Sequence, residues 1–296
     1  MKTINIQSQS STCAVVTAFS PDDGFPDRIA RIHAQVQCVI IVDDGASDVT
    51  GVRLTRWFEG LPGIVLLHHA SNRGVAAALN SGLELAGTMG FTNALLLDDD
   101  SVVASGMVAG LIAALEGDPN QLPAIVGTGY NSPGNVSDAV TSDRLKVVPS
   151  IITAGSLIPL KVFVYVGPFR EELFIDYVDH EYCLRARTKG VRILQCEEVG
   201  MEQPIGQAQK NAWGELRSVH SQARTYYFFR NSFVVAREYI WKFPEFSIWV
   251  CWQQFKTLVK ILFFMRPKRQ YWRAMLRGLS DGWACRLGRI SDGVLQ

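Results

Sequence analysis

Closely spaced cysteines are missing from this chain. Its six cysteines, Cys13, Cys38, Cys183, Cys196, Cys251 and Cys285, form no CxxC pair and no cluster with histidine. Neither a zinc site nor a disulfide framework is indicated, and a reduced, cytoplasmic protein is the expectation. The segment Met1–Thr12 is polar and lacks the basic-then-apolar pattern of a secretory signal. Charge is scarce, 19% against 48% hydrophobic residues, which excludes a disordered chain. Internal repeats are absent, and 25 glycines and 12 prolines are ordinary for 296 residues, so collagen-like and low-complexity architectures are excluded. The five histidines suggest no catalytic triad. An uninterrupted membrane span is lacking too: Phe246–Met265 is apolar, but Gln253, Gln254, Lys256 and Lys260 break it.

What is present is a regular alternation. Cys13–Phe19, Cys38–Val42, Ile64–Leu67 and Ala94–Leu97 are apolar runs of strand length. Pro26–Val36, the stretch from Ser47 or Asp48 to Glu59, and Gly74–Ala86 carry helical spacing. Near-continuous apolar strands separated by helices predict an α/β fold with a mainly parallel sheet covered on both faces. Further on, Gly127–Asn135 reads as a loop and Ile151–Ile158 as a strand. Phe169–Gly190 begins acidic and becomes helical near Asp179. Polar clusters fall at the predicted strand ends: Thr17–Asp23, Asp43–Ser47, His68–Arg73 and Asp98–Ser101. In such sheets ligands collect beyond the carboxyl ends of the strands.

Three of these clusters carry chemistry. Asp98-Asp99-Asp100 packs three carboxylates whose repulsion a cation would relieve, and hard oxygen ligands favour Mg²⁺ or Mn²⁺. The competing reading is an acidic loop capping a helix through Asp100 or Ser101. Asp43 and Asp44 offer a carboxylate to a base or ribose, or else a turn before a helix capped by Ser47. Asn72-Arg73-Gly74 supplies a cation and a glycine at a helix start, where backbone N–H groups favour phosphate. His68 and His69 can touch a ligand there or serve the structure.

In this order the clusters resemble the inverting family 2 glycosyltransferases of the GT-A fold, over roughly residues 12–231. The segment from Phe174 to Arg185, FIDYVDHEYCLR, and Tyr226-Tyr227 followed by Arg230-Asn231 are similar to the rhamnosyltransferase branch. The resemblance implies that Thr17 and Phe19 line the base pocket of a nucleotide-diphosphate sugar, with Asp43 or Asp44 and Arg73 beside the base and Asn72 next to it. It implies Asp99 near the ribose, and Asp98 and Asp100 serving the metal, Asp100 as a direct ligand. Asp179 matches the general base, with Asp176 and Glu181 as competitors and a helix-start carboxylate held by Arg185 or Arg187 as the alternative role. Where related enzymes often carry a metal-binding histidine, this chain has Gln203, and Glu202 is its substitute. The implied donor sugar is rhamnose from a dTDP carrier. The alternatives are a UDP-sugar donor, galactofuranosyl or N-acetylhexosaminyl, and a non-catalytic nucleotide-sugar-binding protein. A Mg²⁺-dependent phosphatase ranks lower, because the first strand ends in Thr17-Ala18-Phe19 and offers no nucleophilic aspartate.

Residues 1–240 are expected to form the catalytic domain and 241–296 a basic, aromatic helical extension. From Trp241 onward ten Lys or Arg face three acidic residues, a net of +7, which leaves −6 for the rest of a chain whose total is +1. Nucleic-acid binding is not implied by that split; a tail facing something anionic is. On a helix, Trp252, Phe255, Val259 and Leu262 share one side, and Gln253, Lys256 and Lys260 another. This pattern suits an anionic membrane interface, at the inner face of the plasma membrane, or packing on the catalytic domain or within a homo-oligomer. The membrane reading implies a lipid-linked glycan acceptor in place of a free glycan.

Overall fold

The computed structural model describes residues 11–45, 47–118, 122–129, 145–202, 208–210, 216–218 and 221–291. Side chains of Glu198, Glu202, 208–210 and 216–218 are outside that description. The described residues fall into two compact units. The first draws on Met1–Asn72, Ala78–Pro168 and Gly190–Glu202, the second on Arg73–Ala77, Phe169–Lys189 and Gln203–Gln296.

In the first unit, strands β1 (Thr12–Ala18), β2 (Cys38–Asp43), β3 (Ile64–His68) and β4 (Asn93–Asp98) run parallel in the order β3-β2-β1-β4. The sheet continues through β8 (Ser156–Pro159), antiparallel to β4, then β6 (Ala124–Gly129) and β9 (Arg192–Glu202). β5 (Val102–Val103) and β7 (Leu145–Val147) both pair with β9 in antiparallel fashion. The sheet is therefore mixed and mainly parallel at its N-terminal half, as the apolar runs predict.

Every residue of β1 and β2 is buried, so both faces of the sheet are covered. On one face Ala14, Val16, Val39, Ile41, Leu95 and Leu97 pack under α1 (Phe25–His33), α2 (Asp48–Phe58) and α4 (Met107–Glu116). On the other lies α3 (Val75–Thr88), and Gly82 explains how closely it sits: a methyl there would collide with Val15. A short helix, α5 (Leu160–Val166), follows β8 directly. Ser47 caps α2, its hydroxyl accepting from the Thr50 N–H at 3.1 Å.

Three segments differ from the sequence reading, the first of them a helix that no pattern predicts. Helix α4 is apolar up to its closing Glu116, MVAGLIAALE, with alanine at the exposed positions 109 and 113, so its sequence shows no amphipathic period. Residues Gly127–Gly129 end strand β6 and are not loop. Ile151–Gly155 is not strand: Ile151 lies over the bare backbone of Gly127, where an added methyl would crowd it at 3.0 Å.

The second unit contains α6 (Val178–Thr188), α7 (Gln222–Tyr239), α8 (Pro244–Phe263), α9 (Lys268–Trp283) and the antiparallel pair β10 (Ala208–Lys210) and β11 (Leu216–Ser218). Helix α9 docks on α7 through Gly278 and Gly282, which let the two backbones approach so closely that any Cβ would strike Tyr226 or Arg230. Helix α8 is tied to α7 by Ser247, donating to the Ala236 carbonyl at 2.9 Å, and by Gln254, donating to Ser232 at 2.9 Å. Among the described residues no helix is long and apolar enough to cross a membrane.

Candidate active site

Strand order places the site of the first unit. β1 leads to β2 on one side and pairs with β4 on the other, so the direction of winding switches between β1 and β4. Ligands of open α/β sheets bind in the crevice outside such a switch. The parallel register sets Thr17 of β1 beside Asp98 of β4, and the Thr17 hydroxyl donates to Asp98 Oδ1 at 3.4 Å.

The three aspartates have three different environments. Asp98 closes a turn, its backbone N–H donating to the Ser101 hydroxyl at 3.0 Å. Asp99 accepts from the backbone N–H groups of Phe19 and Ser20 at 3.1 and 3.4 Å, tying the β1–α1 loop to the end of β4. Arg28 reinforces this link by donating to the Asp99 carbonyl at 2.9 Å. Phe19 itself presents its ring outward. Asp100 is different: its Oδ1 is buried without a hydrogen-bond partner. Burial pushes its carboxyl above the usual range, and neighbouring Asp99 adds to the rise. No helix follows for Asp100 or Ser101 to cap, since β5 comes next and α4 begins after Gly106.

An orphaned, buried carboxylate oxygen beside a second carboxylate suits a hard divalent cation. Among the described residues no three His, Cys, Asp or Glu side chains converge on one point. Mg²⁺ is commonly held by one or two carboxylates together with substrate phosphates, so the orphaned Asp100 oxygen fits such an ion. Gln203 lies outside the described residues, as does the side chain of Glu202.

At the ends of β2 and β3 the structure brings together residues that sequence reasoning left separate. Asp43 Oδ2 and His68 Nδ1 lie 3.0 Å apart, as the β2–β3 register requires. Asp44 Oδ1 meets His69 Nδ1 at 2.9 Å, and His69 Nε2 meets the Ser81 hydroxyl of α3 at 3.0 Å. Both aspartates are buried, and both are engaged by histidine. Gly45, at φ +66°, turns the loop so tightly that a Cβ would strike the Ser71–Asn72 backbone. This chain of contacts fixes the shape of the Asp43–Gly45 loop. Asp44→Ala is expected to leave the His69 ring without its acceptor and to cost about 1–3 kcal/mol, read as a lower denaturation midpoint.

In the second unit Arg73 pairs with Glu171 at 3.0 Å, and Gly74, at φ +91°, packs against Phe174. The acidic segment there is strained: Phe174, Asp176 and Tyr177 all adopt positive φ. Such a run persists only where neighbours over-determine it, and Arg230 and Asn231 of α7 supply that. Asn231 Nδ2 donates to the carbonyls of Leu173, Ile175 and Asp176 at 2.8, 2.7 and 3.0 Å. Arg230, 1% exposed, donates to the carbonyls of Glu172, Leu173 and Gly288 and lies over the rings of Tyr226 and Tyr227. The Tyr-Tyr and Arg-Asn pairs are thus the clamp of the acidic segment.

That clamp sorts the three acidic residues. Asp176 accepts from Arg224 at 2.8 Å. Glu181, 2% exposed, is held by both nitrogens of Arg185, at 3.0 and 3.1 Å, and by the Tyr239 hydroxyl at 3.1 Å. Asp179, in the first turn of α6 and only half-buried, accepts from the adjacent His180 N–H at 2.7 Å. Among the described residues no cation pairs with it. Arg187 approaches Glu245 at 3.8 Å. His180 packs edge-on against Trp249, with ring centres 5.0 Å apart. His220 lies outside the described residues.

Known proteins share this architecture. A model of the family described as Glycosyl transferase family 2 matches residues 14–163, the whole parallel half of the sheet. The chain is 24% identical over 245 residues to the dTDP-rhamnosyl transferase RfbF of Shigella flexneri, covering 77% of this chain and 81% of that protein. Among solved structures it is similar to TarS 1–349 of S. aureus in complex with UDP, with a TM-score of 0.54 and 13% identity, over 92% of this chain and 80% of that one. It is also similar to GalNAc-T7 with UDP, GalNAc and Mn²⁺, with a TM-score of 0.53 and 11% identity, over 67% of this chain; it spans only 44% of that chain's length. On the family match, the chain belongs to glycosyl transferase family 2 and is a glycosyltransferase built on the GT-A fold.

Proposed function

We propose that the protein transfers a sugar from a nucleoside-diphosphate donor to a hydroxyl of a glycan or lipid-linked glycan, with inversion at the anomeric carbon. The sugar is rhamnose carried by dTDP, a reading supported by the similarity to a dTDP-rhamnosyl transferase over 77% of the chain. The loop ends at Thr17, Phe19, Asp43, Asp44, Asn72 and Arg73 receive the nucleotide, with Asp99 toward the ribose.

Asp98 and Asp100 would hold Mg²⁺ or Mn²⁺, with Gln203 as the third protein ligand. Once bound, the ion offsets the charge that builds on the departing diphosphate. Asp179 takes the proton of the acceptor hydroxyl as that oxygen bonds to the anomeric carbon. The carbon–oxygen bond to the diphosphate breaks, and the bonding pair leaves with dTDP. No acid is needed for such a leaving group, unlike glycoside hydrolysis. The observation that carries the base assignment is the engagement of the competitors: Asp176 by Arg224, and Glu181 by Arg185 and Tyr239.

A UDP-sugar donor, galactofuranosyl or N-acetylhexosaminyl, is the second reading. It is favoured by the UDP bound in the two similar structures. A calorimetric screen of dTDP-, UDP- and GDP-sugars, with and without Mn²⁺, decides between them. Tight binding of dTDP-rhamnose that weakens on metal removal is expected. Preference for a UDP-sugar selects the alternative, and binding unaffected by metal rules out a metal-holding role for Asp98 and Asp100.

A further inference from the structure

The sequence pattern of the tail is resolved by the fold into two opposite faces of α8. One face, with Phe246, Val250 and Ile261, is buried in the second unit. The other carries Ile248, Trp252, Phe255 and Leu262, spaced by four, three and seven residues along one stripe, with Phe263 beside Leu262, and all are exposed. Phe263 is 70% exposed and Ile248 72%, and Phe264 follows at 60%. An apolar stripe of this kind is uncommon on a solvated surface and marks an interaction site.

Charge selects the partner. Lys256 and Lys260 flank the stripe on α8, and Arg266, Lys268, Arg269 and Arg273 extend from its C-terminal end into α9. All six are exposed, and among the described residues none of them makes an ion pair. The two described acids of this region are committed elsewhere. Glu245 approaches Arg187, and buried Asp281 is held by Arg277, Arg286 and the Tyr226 hydroxyl. A second copy docking through the same patch would set six cations against six, an unfavourable isologous contact.

We infer that the exposed stripe of α8 and its basic flank bind the surface of an anionic lipid bilayer. The aromatic side chains enter the headgroup–acyl boundary, and the six cations meet the lipid phosphates. The helix lies in the interface and does not cross it, in keeping with its two internal lysines and with the hydrogen bonds by which Ser247 and Gln254 tie its opposite side to α7. This placement is independent of the donor sugar.

Flotation of the full-length chain tests it, using vesicles of phosphatidylcholine alone or mixed with phosphatidylglycerol. Binding to the anionic vesicles only, lost at high salt, is expected. Changing Lys256, Lys260 and Arg269 to glutamine should weaken binding about fivefold per residue. Changing Trp252, Phe255 and Phe263 to serine should abolish it. These six side chains are exposed, so both variants are expected to melt with the parent, as circular dichroism would report. Failure of the unmodified chain to float with anionic vesicles overturns the inference. Equal flotation of both variants does the same. A concentration-dependent dimer that Phe255→Ser dissolves, without flotation, would assign the stripe to a second copy instead.

Discussion

Asp179→Asn is expected to lower turnover about 100- to 10,000-fold while leaving nucleotide-sugar affinity unchanged. The substitution keeps the size of the side chain and its hydrogen bond from the His180 N–H, so local structure should persist. What it removes is the ability to accept a proton. Stability should not fall, because among the described residues no cation depends on this carboxylate. The two competitors behave differently under the same substitution. Glu181→Gln leaves Arg185 facing a neutral amide in a buried position, so its loss of activity should track a loss of folded protein. Asp176→Asn weakens one partly exposed pair with Arg224, a modest effect. Single-turnover rates and donor affinities for the three variants separate these outcomes. Turnover of Asp179→Asn within tenfold of the parent would remove it from the base role.

Much of the fold was legible because buried parallel strands write themselves as apolar runs. β1 to β4 were readable from their apolar runs, and Ser47 from its place before a helix. Helix α4 was not, since its solvent side is largely alanine, Ala109 and Ala113, which erases the polar half of the amphipathic period by which helices are recognised. Glycine misled in the opposite sense at Gly127–Gly129, where absence of side chains signals a loop but also lets Ile151 cover a strand. The acidic clusters were readable as candidates, but their partners were not. Asp43 and His68 are 25 residues apart, and only the register of β2 against β3 makes them neighbours. Ser81 and Arg28 carried no sequence signal, because each acts through a contact that tertiary folding creates.

Asn231→Asp is expected to be as damaging as Asn231→Ala, and more so than its size suggests. The Asn231 amide nitrogen faces three backbone carbonyl oxygens, those of Leu173, Ile175 and Asp176. Asparagine meets them with donors. Aspartate keeps the shape but sets a carboxylate against three acceptors, so it adds repulsion to the lost hydrogen bonds. Leu173 keeps Arg230 as a donor, so the carbonyls of Ile175 and Asp176 are the two that lose theirs; at about 1–3 kcal/mol for each acceptor left unpaired, either change should remove roughly 2 kcal/mol or more of stability. The loss reaches the reaction because this segment stores strain: Phe174, Asp176 and Tyr177 hold positive φ directly before Asp179. Released from the clamp, the segment should relax toward ordinary backbone angles and carry the first turn of α6 with it. Turnover of the still-folded fraction should therefore fall, with donor affinity largely kept. A clamp that serves only to fill space would give a different order, with Asn231→Asp near the parent and Asn231→Ala alone impaired. Denaturation midpoints measured beside turnover per folded molecule distinguish the two.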